Sequence, residues 1–180
     1  MSGLNFALCD EVMRALLRTN DAPCVFISYK SEDIAAAEAI NEYLNKTAGI
    51  NTYFDANDAR LQKSVSISND VDIVNSIQNG LNNTTHLLCL ISDKTHLSWW
   101  VPYEIGYADN KKMAIASLKL KSIDDIPSFL KTQRVLYNIE DFLEYFSSVN
   151  RYDDLFTRYA NQRLSKQGTE KLGSYIEKGE

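Results

Sequence analysis

The sequence predicts an α/β domain: a doubly wound parallel sheet of about five strands, covered by helices on both faces. Three observations carry that prediction. Short apolar runs alternate with segments whose apolar residues recur at helical spacing, and such alternation means parallel strands joined by crossover helices. The strand segments, such as Cys24-Val25-Phe26-Ile27-Ser28 and Leu87-Leu88-Cys89-Leu90-Ile91, are continuous apolar runs rather than alternating ones, as strands buried on both faces are. Finally, 180 residues with 44% hydrophobic and 24% charged side chains suit one core-forming domain with terminal additions.

The elements follow in order. Leu4, Leu8, Val12, Ala15 and Leu16 recur at helical spacing and predict an amphipathic helix over 4–18. Asn20-Asp21-Ala22-Pro23 breaks it, so residues 1–22 form an N-terminal addition and the domain proper runs over 23–140. Cys24 to Ser28 is the first strand. Ser31 reads as an N-cap with Glu32 and Asp33 in the first turn, where the helix dipole favours acids. Ile34, Ala37, Ile40 and Leu44 mark a helix to Asn45. Ile50 to Phe54 is a shorter strand, and Asp55 to Ser68 a loop of mixed charge. Val71, Val74, Ile77 and Leu81 predict a helix ending at Asn82-Asn83, and His86 to Ser92 the third strand. Pro102 is tolerated only in a first helical turn, which starts the next helix between Ser98 and Val101. Met113 to Leu118 is a fourth strand and Arg134 to Tyr137 a short fifth. Ile139, Phe142, Leu143 and Phe146 predict one further helix, and Tyr152, Leu155, Phe156 and Tyr159 another. Residues 141–180 are therefore a helical extension with a polar tail, expected to fray from Ser165 onward.

Composition excludes several classes. A net charge of −5 argues against nucleic acid or an anionic membrane as partner, since phosphate binding needs clustered Lys and Arg. No apolar run approaches the ~18 residues of a membrane span. Asp10, Glu11 and Arg14 interrupt the N-terminal apolar pattern, unlike a signal peptide. Cys9, Cys24 and Cys89 form no CxxC pair and read as reduced, buried side chains of a cytoplasmic protein. His86 and His96 lack zinc-ligand spacing, so no metal is expected. The seven glycines include neither GxGxxG nor GxxxxGK[ST]. No bound cofactor is expected, and a dinucleotide that binds here would be a substrate.

Doubly wound sheets bind ligands beyond the carboxyl ends of the strands, where the strand order reverses. In the flavodoxin-like order 2-1-3-4-5 that point lies between strands one and three. It gathers Ser28-Tyr29-Lys30-Ser31, then Ser92-Asp93 leading to Trp100 and Glu104, with Asp55 after the neighbouring second strand. Each has a plainer reading. Trp100 suits helix–sheet packing, Glu104 a first-turn acid facing the dipole, Asp55 a turn and Lys30 solvent. Cys89 reads as a core residue, and both histidines as structural or exposed. Paired acids after strand one, which a phosphoacceptor receiver domain needs, are replaced by Ser28-Tyr29.

Phe26-Ile27-Ser28-Tyr29 with Ser31-Glu32-Asp33 resembles the first sequence box of TIR (Toll/interleukin-1 receptor) domains. Trp100-x-x-x-Glu104 resembles the tryptophan and catalytic glutamate of NAD-consuming TIR domains. Ile77-Gln78-Asn79-Gly80-Leu81-Asn82-Asn83-Thr84, Cys89-Leu90-Ile91, Thr95 and Trp100-Val101-x-Tyr103-Glu104-Ile105 are similar to TIR proteins of the Thoeris antiphage defence system. The resemblance spans residues 23–140; Pro102 departs from it, where a polar residue is common. It implies a catalytic Glu104, with Trp100, Phe26, Ile27 and Ser28 bordering substrate; Tyr29 and Ser92, drawn to the same crevice by the topology, are expected to bind substrate beside them. It also places Arg60 as the basic residue after strand two, able with Lys30 to meet a pyrophosphate.

The implied activity is an NAD+ glycohydrolase or cyclase that makes an ADP-ribose-type signal in antiphage defence. NAD+ would be the substrate, TIR–TIR self-association the assembly mode, and a downstream effector the receiver of the product. The chemistry fits a single carboxylate. The nicotinamide nitrogen of NAD+ is already quaternary, so nicotinamide leaves neutral and no general acid is needed, unlike the usual glycosidase pair. The alternatives are a non-catalytic TIR interaction module, which commonly lacks a glutamate at position 104, and another N-glycosyl enzyme on a similar sheet, such as a nucleoside deoxyribosyltransferase.

Overall fold

In a computed structural model, which describes residues 3–5, 7, 22–54, 70–149 and 168–179, the apolar runs become β1 (Cys24–Ser28), β2 (Asn51–Tyr53), β3 (His86–Ile91), β4 (Ala114–Lys119) and β5 (Arg134–Leu136). They form one parallel sheet in the order β2-β1-β3-β4-β5, the flavodoxin-like order expected. The helices are α1 (Ile34–Glu42), α2 (Asp70–Asn82), α3 (Trp100–Asn110) and α4 (Ile139–Val149). A π-helical turn, Tyr43–Thr47, extends α1.

Side chains alternate across a strand, and this alternation splits the core into two layers. Val25, Ile27, Tyr29, Leu88, Leu90 and Leu118 face α1 and α4, meeting Ile40, Leu44, Phe142 and Phe146. Phe26, Leu87, Cys89, Ile91 and Ile115 face α2 and α3, meeting Ile73, Ile77, Leu81, Val101 and Ile105. In the second layer Phe26 stacks on Tyr53 with ring centroids 5.4 Å apart. A Cβ at Gly80 would fall 2.7 Å from the Tyr53 ring and 2.8 Å from Phe26. Glycine inside α2 costs about 1 kcal/mol of helix propensity, and here it admits that ring pair.

Three expectations are corrected. Ser31 does not cap a helix. Ser31–Asp33 form a 3₁₀ turn without a side-chain cap, and the Ser31 hydroxyl is engaged as donor to the Glu32 carboxylate at 2.8 Å, a charge-assisted bond, rather than as acceptor from a backbone N–H as a cap would be. The helix expected over 4–18 does not begin at Leu4: residues 4 and 5 run beside β2, where the Thr52 N–H donates to the Leu4 carbonyl at 2.8 Å. Asn5 brackets Phe54 with two further bonds, of 2.7 and 2.9 Å. A free sheet edge has unpaired backbone groups to satisfy, and this segment satisfies them. Residues 8–21 lie outside the described part.

The tail does not fray over 168–179. Leu172 and Ile176 are fully buried against the α1 and α4 layer. The Lys121 N–H reaches the Tyr175 carbonyl and the Ile139 N–H that of Glu177, each at 2.9 Å. The helix expected at Tyr152–Tyr159 and the loop Asp55–Ser68 fall outside the described residues. Among the described residues, no helix is long and apolar enough to cross a membrane.

Candidate active site

The site is built where the strand order reverses, between β1 and β3. The chain leaves β3 through a 3₁₀ turn, Thr95–Leu97, and Ser98 follows in extended conformation, φ −90° and ψ 128°. The Val101 N–H donates to the Ser98 hydroxyl at 3.2 Å, so Ser98 satisfies one of the orphan donors at the start of α3. Pro102 is third in α3, where its missing N–H costs nothing. The helix start thus falls within the expected window.

Glu104 stands one turn into α3, and the first turn contains no acid. Dipole complementarity, confined to that first turn, does not account for it. The carboxylate is buried, the residue retaining 6% exposure, beneath an apolar layer where an unpaired charge would cost several kcal/mol. The Ser28 hydroxyl at the end of β1 donates to Glu104 Oε2 at 2.5 Å. Ser28 in turn lies beside Cys89 of β3, its register partner, and Cys89 lies beside Ser117 of β4. The sheet under Glu104 is therefore a row of small side chains, which leaves room for the carboxylate.

Trp100 lies one turn before Glu104 on the same side of α3. It is partly buried and packs against the α2–α3 layer. Its ring meets Tyr103 edge-on at 6.2 Å, and the Tyr103 hydroxyl accepts from the Gln78 side-chain amide of α2 at 2.8 Å. Support from α2 thus reaches the tryptophan through one intervening ring.

The other expected residues divide. Phe26 shares the face of Ser28 and Glu104 but is buried in its stack with Tyr53. Ile27 and Tyr29 point to the opposite layer, and Tyr29 packs 5.6 Å from Phe54. The structure does not bring those two side chains to Glu104, because successive residues along the chain at β1 point to opposite faces and Ser28 has taken the other one. Lys30 pairs with Glu32 at 3.4 Å. Asp55 and Arg60 lie outside the described residues. Among the described residues no group of three or more His, Cys, Asp or Glu side chains is arranged to hold a metal. Cys24 and Cys89 are buried and unbridged. The His86 ring bonds the Thr85 hydroxyl at 2.7 Å, and His96 is exposed.

Ser92 belongs to a second polar cluster, centred on Asp33, which the sequence pattern placed in a helix turn and in the first sequence box but not among the site residues. Its hydroxyl donates to Asp33 Oδ2 at 2.5 Å and accepts from the Lys94 N–H at 3.1 Å, while the Ser92 N–H donates to the Thr95 hydroxyl at 2.8 Å. Burial pushes the Asp33 carboxyl above its ordinary value, against the bond from Ser92 and the charge of Lys94. This cluster ties the loop after β1 to the loop after β3. An acid a few residues beyond one strand end, with a serine just beyond the end of the adjacent strand, is the sequence signal that could have found it.

A family model described as the TIR-like domain of the Thoeris protein ThsB matches residues 26–124. The match covers more than half of the chain, including Ser28, Cys89, Trp100 and Glu104. No curated protein matches the chain.

Proposed function

The chain belongs to the Thoeris ThsB TIR-like domain family, a TIR protein of antiphage defence, and on that premise we propose that it cleaves the nicotinamide–ribose bond of NAD+ and releases an ADP-ribose-type product, linear or cyclic. The observation that carries this reading is the buried Glu104 carboxylate at the carboxyl end of β1, hydrogen-bonded by Ser28. A glutamate kept out of water at a switch point of a doubly wound sheet is expensive as structure and useful as chemistry.

Departure of neutral nicotinamide leaves positive charge on the ribosyl carbon. A fixed carboxylate in a weakly polar surrounding stabilises that charge more strongly than water does, with no reorganisation at the moment of bond breaking. Trp100 offers an aromatic surface to the nicotinamide or its ribose. Lys30 would have to exchange its partner Glu32 for the pyrophosphate. Self-association of TIR domains and a downstream effector that senses the product belong to the same proposal.

The test is incubation of the purified protein with NAD+, with and without lysate from phage-infected cells, and identification of products by mass spectrometry. Nicotinamide should appear together with an ADP-ribose-type species. No nicotinamide under any condition, including forced crowding, would leave a non-catalytic interaction module as the better account. Base exchange on deoxynucleosides instead would point to an N-glycosyl transferase.

A further inference from the structure

Two helices start at the switch point, and a serine of each strand reaches an acid of the other strand's helix. Ser28, closing β1, donates to Glu104 of α3, the helix after β3. Ser92, directly after β3, donates to Asp33, the residue before α1, the helix after β1. Alternation along β3 places Ser92 on the α1 face with Leu88 and Leu90, opposite the face of Glu104. A serine–carboxylate bond therefore crosses between the β1 and β3 units on each face of the sheet.

Asp33 does not serve α1 itself. It holds the N-cap position, where an aspartate ordinarily accepts from the first N–H groups of the helix, yet it makes no side-chain cap bond. Its carboxylate turns to Ser92, which retains 1% exposure. Ser92 is in turn locked into its own loop, accepting from the Lys94 N–H at 3.1 Å and donating its N–H to the Thr95 hydroxyl at 2.8 Å. The Thr95 hydroxyl donates to the Leu90 carbonyl at 3.3 Å. Onward to α3, the Leu97 N–H reaches the Lys94 carbonyl at 2.9 Å and the Ser98 N–H that of Thr95 at 3.0 Å. Ser98 then receives the Val101 N–H at 3.2 Å. A shift at Ser92 is thus passed with little slack to the start of α3, where Trp100 stands.

We infer that Asp33 is a positioning residue: through Ser92 it sets the separation of the starts of α1 and α3, and so the width of the crevice between them. The inference rests on the proposed cleavage of NAD+ in that crevice. The bond from Ser28 to Glu104 lies on the other face and does not involve Asp33. Loss of the Asp33 brace therefore moves the wall that bears Trp100 more than the buried carboxylate, and its effect falls on KM rather than kcat.

Two readouts on the full chain test it. The first, backbone hydrogen exchange resolved by residue, needs no turnover. In Asp33→Ala the Ser92 and Lys94 amides should exchange at least about tenfold faster, the scale of one lost hydrogen bond to a charged group. In Asp33→Asn, which keeps an acceptor for Ser92, they should stay near wild type. Unchanged exchange in a folded Asp33→Ala protein overturns the brace. The second is kinetic. Asp33→Ala should raise KM for NAD+ about tenfold with kcat within about threefold, since the walls are misplaced rather than the reacting group. Asp33→Asn should restore KM, which a role for the charge alone would not allow. Ser92→Ala should reproduce the raised KM, and it carries the kinetic test if Asp33→Ala does not fold. The double variant should be no worse than either single one, because all three remove the same bond. An unchanged KM, additive effects, or an Asp33→Asn protein as impaired as Asp33→Ala overturns the assignment. If no condition gives NAD+ cleavage, the proposed activity fails while the exchange pattern still decides the brace.

Discussion

Leu172→Ala should destabilise the protein by about 2–3 kcal/mol, which makes the C-terminal segment part of the core rather than an appendage. Leu172 is fully buried, together with Ile176, against α1 and α4. Truncating a buried leucine costs ~2–5 kcal/mol, depending on how far the site collapses. The lower half of that range applies, because Lys171 and Gly173 on either side reach the surface and let the segment settle into the gap. At roughly 2–4 °C per kcal/mol for a chain of this size, Tm should fall by about 4–12 °C. The neighbouring ion pair gives the comparison. Lys171 Nζ lies 2.5 Å from Glu42 Oε2, with the two side chains 57% and 41% exposed. Solvent screens such a pair, so Lys171→Met should cost no more than about 1 kcal/mol. Urea melts of both variants at neutral pH decide the order. A Leu172→Ala loss no larger than that of Lys171→Met would mean that residues 168–179 do not dock as described.

Three further outcomes follow from the same contacts. Hydrogen bonds from Lys171 and Lys46 hold the Glu42 carboxyl near about 2, below its ordinary 4.5; its stabilisation is complete above 4.5 and lost as pH falls through about 2. The stability gap between wild type and Glu42→Gln, from urea melts, should therefore be constant at neutral pH and close across that acidic window, and a gap independent of pH would contradict the assignment. Asp33 has the opposite sign: its folded value is raised by burial above 3.8, so its favourable contribution is present below 3.8 and is lost as pH rises through the folded value. Asp33→Asn keeps an acceptor for Ser92 and should match or exceed wild-type stability near neutral pH, with the advantage gone below 3.8; a clear loss near neutral pH would show that the charge itself is needed. Trp100→Ala should impair NAD+ turnover while costing less than the ~3–5 kcal/mol of a fully buried aromatic, and a full-sized stability loss in thermal melts would return Trp100 to a packing role.

The fold was legible because its strands are continuous apolar runs. Leu87 to Ile91 cannot be exposed on either face, and that alone requires helices on both sides. Strand alternation was equally available: with Phe26 and Ser28 on one face, Ile27 and Tyr29 must take the other, so a single family box cannot all line one crevice. The Ser28–Glu104 bond joins residues 76 positions apart, and only the assembled sheet could disclose it. The same holds for Asp33 and Ser92, 59 positions apart. The tail was misread because its polar composition outweighed Leu172 and Ile176, an apolar pair at helical spacing with Tyr175 beside them. The N-terminal periodicity likewise said nothing of the unpaired edge of β2, which draws residues 3–5 into extended structure.

The central claim is that Glu104 is the charge against which the ribosyl cation forms, and Glu104→Gln measures it most directly. The substitution keeps shape and an acceptor for the Ser28 hydroxyl while removing the negative charge. Nicotinamide release should fall by at least ~10²-fold, the scale of one lost preorganised electrostatic contact. Stability should not fall, since a buried charge is exchanged for a neutral amide that still accepts from Ser28. A Glu104→Gln protein that is folded and releases nicotinamide at a near wild-type rate would contradict the account.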